Sequence, residues 1–176
     1  DVYKRQSVID AAPDGYTLML AANALAANMA LYKPPPFDAE RDLVPIAQVG
    51  RVPVVIAANP SVPYNNVQEL IAAAKAKPDS IAFASPGNGA TPHMAVELFA
   101  KAAGIELQHI PYRGGAPAIT DTIGGQVQLV AVNALEALPH VKNGKLKVLA
   151  ALSAGRTSIF PNTPTIAESG LSLIHI

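Results

Sequence analysis

Ala84-Ser85-Pro86-Gly87-Asn88-Gly89-Ala90-Thr91-Pro92-His93 takes a strand into a glycine-rich loop and on into the first turn of a helix. Ser80–Ala84 supplies the strand. Pro92–Ala103 supplies the helix, with Thr91 as its expected cap, Pro92 at its first position and Gly104 past its end. The apolar stripe of that helix is expected to be Met94, Leu98, Phe99 and Ala102. Glycines let a backbone approach a ligand closely. Free amides at a helix start, together with the helix dipole, favour an anion such as a carboxylate. The side chains of Ser85, Asn88 and Thr91 add donors, and Gly87, Gly89 and Ala90 complete the cradle. The loop lies beyond the carboxyl end of its strand, where open α/β sheets bind ligands. The same residues also suit an ordinary strand–helix connection with a capping threonine. No Gly-Lys-Ser/Thr follows and the GxGxxG spacing is incomplete, so the loop is not one of the standard nucleotide loops.

Outward from this segment the chain alternates strands and helices. Downstream come a strand at Leu107–Ile110, a helix at Ala116–Ile123 and a strand at Val127–Val132. A helix at Ala134–Asn143, a strand at Leu146–Ala151 and a helical turn at Pro164–Ser169 follow. Upstream, Asn66–Lys77 is a helix whose Asn66 and Glu69 form a capping box, stopped by Pro78. Val52–Ala58, Leu43–Val49 and Tyr16–Ala21 have strand composition, and Asn23–Leu31 is an alanine-rich helix ended by Pro34-Pro35-Pro36. Strands separated by helical stretches imply βαβ units and a mainly parallel sheet. Near-continuous apolar strands such as VQLVAV imply helices on both faces.

The 176 residues carry no net charge, which argues against a dedicated nucleic-acid binder. No run reaches the ~18 apolar residues of a membrane span. There is no cysteine, hence no disulfide, thiolate metal site or cysteine nucleophile. Half of the residues are hydrophobic, too many for a disordered chain.

Catalytic chemistry is sparsely provided. There is no G-x-S-x-G elbow, no close pair of carboxylates and no metal-ligand spacing, and nothing calls for a cofactor. His93 either faces a ligand or folds back on the loop. His109 and His140 are isolated histidines. Arg113, in Pro111-Tyr112-Arg113-Gly114-Gly115, suits a carboxylate or lies in solvent. Asn23, after the first strand, is a cap or a ligand donor. Missing chemistry beside an anion-binding loop favours binding over turnover.

The two ends differ in kind from the rest. Codons for Asp1-Val2-Tyr3-Lys4-Arg5-Gln6, read on the opposite strand, encode Leu171-Ser172-Leu173-Ile174-His175-Ile176. Residues 1–6 and 171–176 are therefore expected to be translated sequencing adapter, leaving residues 7–170 as an internal fragment of a longer gene.

Several segments together resemble the Bug-type substrate-binding proteins of tripartite tricarboxylate transporters. They are Ala12-Pro13-Asp14-Gly15-Tyr16-Thr17-Leu18, Phe83-Ala84-Ser85 with Gly87-Asn88-Gly89 and His93, and Ile110-Pro111-Tyr112-Arg113-Gly114. Asp121 with Gly124-Gly125-Gln126-Val127-Gln128, Leu138-Pro139-His140 and Pro164-Thr165-Ile166-Ala167-Glu168-Ser169-Gly170 continue the match in order. The resemblance implies a periplasmic binding-protein type II α/β fold of two lobes with mainly parallel sheets, lobe one being truncated. Lobe one would retain residues 7–58 and 153–170, and lobe two would be residues 59–152, with the chain crossing near Asn59–Pro63 and returning near Leu152–Ala154. It also implies a monomeric periplasmic receptor that captures a small carboxylate and delivers it to membrane transporter subunits, with no enzyme activity, cofactor or metal. The carried-over ligand positions are Ala22 and Asn23 on the first lobe, and Ser85, Gly87, Asn88, Gly89, Ala90, Thr91, His93 and Asn133 on the second. Many relatives place an acidic residue where this chain has Val132, a change expected to disfavour ammonium-bearing ligands. The competing readings are the effector domain of a transcription regulator and a small α/β transferase.

Overall fold

The computed structural model describes residues 2–22, 24–35 and 37–171. It divides into two compact units, residues 1–50 and residues 51–176.

The first unit holds three helices, α1 (Val2–Ile9), α2 (Ala24–Leu31) and α3 (Ala39–Asp42). Asp38 caps α3 by accepting the amides of Glu40 and Arg41. Asp14 turns the chain by accepting the Tyr16 amide at 3.0 Å, and Gly15 takes φ +84°. The strands expected at Tyr16–Ala21 and Leu43–Val49 do not form. A strand needs a neighbour to take its amides and carbonyls and a core to cover one face. Neither is present among the described residues of this unit. Tyr16 and Leu20 are 91% and 85% exposed, Leu18, Val44, Ile46 and Val49 are also exposed, and Phe37 is the one buried apolar side chain described there.

The second unit is a mixed five-stranded sheet with helices on both faces. Along the chain run β1 (Val54–Ala58), α4 (Val67–Ala76), β2 (Ala82–Ser85), α5 (Thr91–Ala103) and β3 (Gln108–Pro111). Then come α6 (Gly115–Ile123), β4 (Leu129–Asn133), α7 (Ala134–Lys142) and β5 (Lys147–Leu152). The sheet order is β3-β2-β4-β1-β5. β2 is parallel to β3 and β4, while β1 is antiparallel to both β4 and β5. Four strands thus point one way and β1 opposes them, as the mainly parallel expectation required. β1 is paired on both edges, so residues 54–58 are built into this sheet. The compact boundary accordingly falls after Gly50, ahead of the crossover expected at 59–63.

Alternate residues of each strand feed two cores. Val54, Ile56, Ala58, Phe83, Leu129 and Ala131 pack with α4 and α5 on one face. Val55, Ala57, Ala84, Val130 and Val132 pack with α6 and α7 on the other. All five residues of β1 are buried, which explains its unbroken apolar sequence. Asn66 and Glu69 form the expected capping box: Glu69 donates its amide to Asn66 Oδ1 at 2.9 Å, and Asn66 Nδ2 donates to Glu69 Oε1 at 2.7 Å.

Helix α5 departs from expectation at its start and along its face. Its cap is Ala90, so Thr91 is the first helical residue and Pro92 the second; no side chain caps the turn. The buried stripe is Pro92, Ala95, Val96, Phe99, Ala100 and Ala103, whereas Leu98 is 44% exposed and Ala102 lies outside. Three alanines on the inner face let the helix approach the sheet closely. That places the bulky Leu98 at the surface. Phe99→Ala should therefore cost about 3–5 kcal/mol of stability, while Leu98→Ala should fall within about 0.5–1 kcal/mol of the parent. Chemical denaturation of the two variants tests the assignment, and equal losses would return Leu98 to the core.

Candidate functional site

The carboxyl ends of β3, β2 and β4 lie side by side and lead into the first turns of α6, α5 and α7. The loop after β2 is fixed from within. Ser85 is fully buried. Its Oγ accepts the Gly87 amide at 3.2 Å, lies 3.3 Å from the Gly87 carbonyl and stands 2.7 Å from His109 Nε2. The Ala90 amide donates to the Gly87 carbonyl at 3.2 Å, and the Gly89 amide donates to His93 Nδ1 at 3.1 Å. Gly87 takes φ +143°, and a methyl group there would stand 3.3 Å from the Tyr112 carbonyl. Only glycine satisfies both the backbone and the space at that point.

The loop after β3 is tied to the loop after β2. Tyr112 donates its amide to the Ser85 carbonyl at 3.0 Å, and Gly114 donates to the Pro86 carbonyl at 3.1 Å. Tyr112 Oη donates to Asp121 at 2.7 Å, and burial followed by this carboxylate pushes the phenol up to about 12. Arg113 extends outward on the same loop and is exposed.

Beneath the loop lies a stack of three rings. His93 and His109 have centroids 3.8 Å apart with 17° between planes, and Phe83 stacks on His109 at 4.9 Å. Parallel pairing sets Phe83 beside His109. Burial first, and the neighbouring His93 second, lower the His109 imidazole to about 4, so that it is neutral at ordinary pH. His93, which accepts from Gly89 through Nδ1, keeps its proton on Nε2 when neutral and turns it toward Glu97 at 3.7 Å. This geometry does not describe a nucleophile. The Ser85 hydroxyl is sealed and engaged by its own loop, and among the described residues no carboxylate bonds to His109.

The remaining donors face outward. Among the described residues nothing accepts the backbone amides of Asn88, Thr91 or His93, which open the uncapped N-terminus of the 13-residue α5. That is the part of the loop able to take an anion. The structure thus brings Ser85, Gly87, Asn88, Gly89, Ala90, Thr91 and His93 into one cradle. Ser85, Gly89 and His93 serve as its internal struts. Asn133 ends β4 on the same edge, and its Nδ2 donates to Glu136 Oε1 at 2.6 Å. Val132 is fully buried in the α6–α7 core. Ala22 is exposed in the first unit, and Asn23 lies outside the described residues. Sequence reading alone did not find His109 or Glu136. Their partners lie 24 residues away in the case of Ser85 and His109, across a strand pairing that no local pattern announces.

A mixed α/β sheet with a glycine-rich loop at the carboxyl ends of its strands is the fold this chain shares with periplasmic binding proteins of solved structure. The chain belongs to the tripartite tricarboxylate transporter family receptors, whose description matches residues 1–175. It is 40% identical over 161 residues to protein BugT of Bordetella pertussis, covering 90% of this chain and 49% of that protein. It superposes with a TM-score of 0.90 at 29% identity on an R. palustris protein solved with adipate, covering 98% of this chain and 58% of the other. The periplasmic binding protein BugD matches with a TM-score of 0.88 at 33% identity, covering 99% and 58%. The chain thus spans about half the length of the curated relatives it matches.

The partly buried His109 makes stability depend on pH. The unfolded chain binds a proton at His109 below about 6.5, the folded chain only near 4. Between those values the unfolded state holds more protons, so stability falls as the pH drops through this window. Denaturation midpoints at neutral pH and at about pH 4.5 should therefore converge in His109→Asn relative to the parent chain. An unchanged acid sensitivity would show that another group is responsible.

Proposed function

We propose that this chain is the carboxylate-gripping part of a periplasmic receptor for a tripartite tricarboxylate-type transporter. The ligand is a di- or tricarboxylate or a small aromatic carboxylate, and the partners are the membrane subunits that accept it. The receptor acts as a monomer and transforms nothing. The observation that supports this reading is the uncapped N-terminus of α5, where the amides of Asn88, Thr91 and His93 have no acceptor among the described residues, on a loop braced by Ser85 and His93. Adipate in the R. palustris relative fits the same chemistry. His109 and His93 hold the loop through Ser85 and the Gly89 amide.

The chain spans about half the length of its relatives, so a two-lobed carboxylate cradle would draw on the longer protein as well as on this chain. Cleft closure of the two lobes on the ligand gives the transporter a form to recognise.

Calorimetry with adipate on the longest open reading frame that contains residues 7–170 should give saturable binding. The 176-residue chain alone should bind at least about 100-fold more weakly, since most affinity is lost with half the contacts. Gly87→Ala in the longer protein should weaken adipate about tenfold, because the methyl group drives the loop off the Tyr112 carbonyl. A longer protein that binds no carboxylate, or one indifferent to Gly87→Ala, would refute the assignment.

A further inference from the structure

Three helix N-termini meet at this edge of the sheet, and one of them already has an anion. The Glu136 side chain, from the first turn of α7, reaches the start of α6. A methyl group on Gly115, the first residue of α6, would collide with its carboxylate. The carboxylate therefore occupies the space that glycine leaves. Asn133 fixes its direction through the 2.6 Å bond to Oε1. Glu136 is half-buried, so its position is held by packing as well as by that bond.

This anion belongs to the same cluster as the cradle. Gly114 donates to Pro86, Tyr112 donates to Ser85, and the Tyr112 carbonyl lies against Gly87. The α6 start and the α5 loop are consequently one hydrogen-bonded body. The negative charge offsets the α6 dipole and leaves the α5 cradle as the place where a ligand anion is favoured.

We propose that Glu136 is a specificity-determining residue. It stands as an internal anion at the α6 N-terminus, so this edge takes one ligand carboxylate at the α5 loop and repels a second. The inference rests on the carboxylate-capture reading above. It sharpens the ligand class to molecules that present a single carboxylate to this lobe. The charge that excludes a second one sits at Glu136, whereas Val132, buried in the core, presents nothing to the mouth.

The test compares butyrate, succinate and citrate as ligands of the longest open reading frame that contains residues 7–170. Glu136→Gln keeps the length of the side chain and an oxygen for Asn133 while removing the charge. It should raise affinity for citrate and succinate relative to butyrate by about tenfold, since removing a like charge from the mouth of the site relieves repulsion of a second carboxylate. Gly115→Ala reaches the same end by another route, displacing the carboxylate without altering it. Gly115 has no left-handed backbone angle, so alanine is tolerated there conformationally. A matching shift in either folded variant supports the proposal. Wild-type binding with an unchanged ratio in both variants, or an equal gain for all three ligands, overturns it. Absence of binding to every carboxylate by the parent protein refutes the receptor reading itself, and the proposal falls with it.

Discussion

β1 lies at the interior of the sheet with all five residues buried, β4 hydrogen-bonded along one edge and β5 along the other. A buried backbone is tolerable only when its polar groups are matched, because each unmatched group costs on the order of 1–3 kcal/mol. The rest of the second unit follows from meeting that condition. The antiparallel entry of β1 aligns Val55 with Val132 and Ala151, and alternate side chains then feed the two cores. The first unit shows the converse. Its Tyr16–Ala21 and Leu43–Val49 segments have the composition of strands and no ladder, and their large apolar side chains face outward.

The same condition shapes the site. The loop after β2 must leave a buried strand, turn sharply and present donors without leaving polar atoms stranded inside. Ser85 settles the inner end by taking the Gly87 amide and meeting His109, and His93 takes the Gly89 amide. Phe83 and the two imidazoles close the underside as a stack. Burial, and the neighbouring His93 after it, lower the His109 imidazole to about 4, so this ring of the stack is uncharged at neutral pH. The proposed attraction for an anion rests on backbone amides at the start of α5.

Much of the second unit was legible in the sequence because its signals are local. Proline and glycine punctuation bounded α4 through α7, the Asn66–Glu69 box closed as expected, and the VQLVAV run became a strand covered on both sides. The failures share one cause: a decision made by distant residues. Thr91 is a good capping residue, yet the turn after Gly89 starts the helix one residue earlier and leaves Ala90 at the cap. Leu98 is larger than Ala95 or Ala100, yet the sheet accepts the smaller side chains because they allow closer approach. Tyr16–Ala21 has the composition of a strand but no strand partner among the described residues. In the site, the glycine loop was visible as a motif. His109 and Glu136 were not, since their meaning comes from Ser85 and Gly115 across strand and helix contacts.

The four long helices of the second unit meet the shared problem of unsatisfied first-turn amides in four ways. α4 uses the side chain of Asn66. α7 gives the amide of Ala134 to the carbonyl of Pro53, which anchors it to the chain just before β1. α6 starts at a glycine pressed against the Glu136 carboxylate. α5, with 13 residues the longest helix among those described, has neither a capping side chain nor an internal anion. A longer row of aligned peptide dipoles does not by itself strengthen the field at the terminus, which is set by the last turn. At α5 the amides of Asn88, Thr91 and His93 have no acceptor among the described residues, while Ser85 and His93 brace the loop that carries them by taking the Gly87 and Gly89 amides.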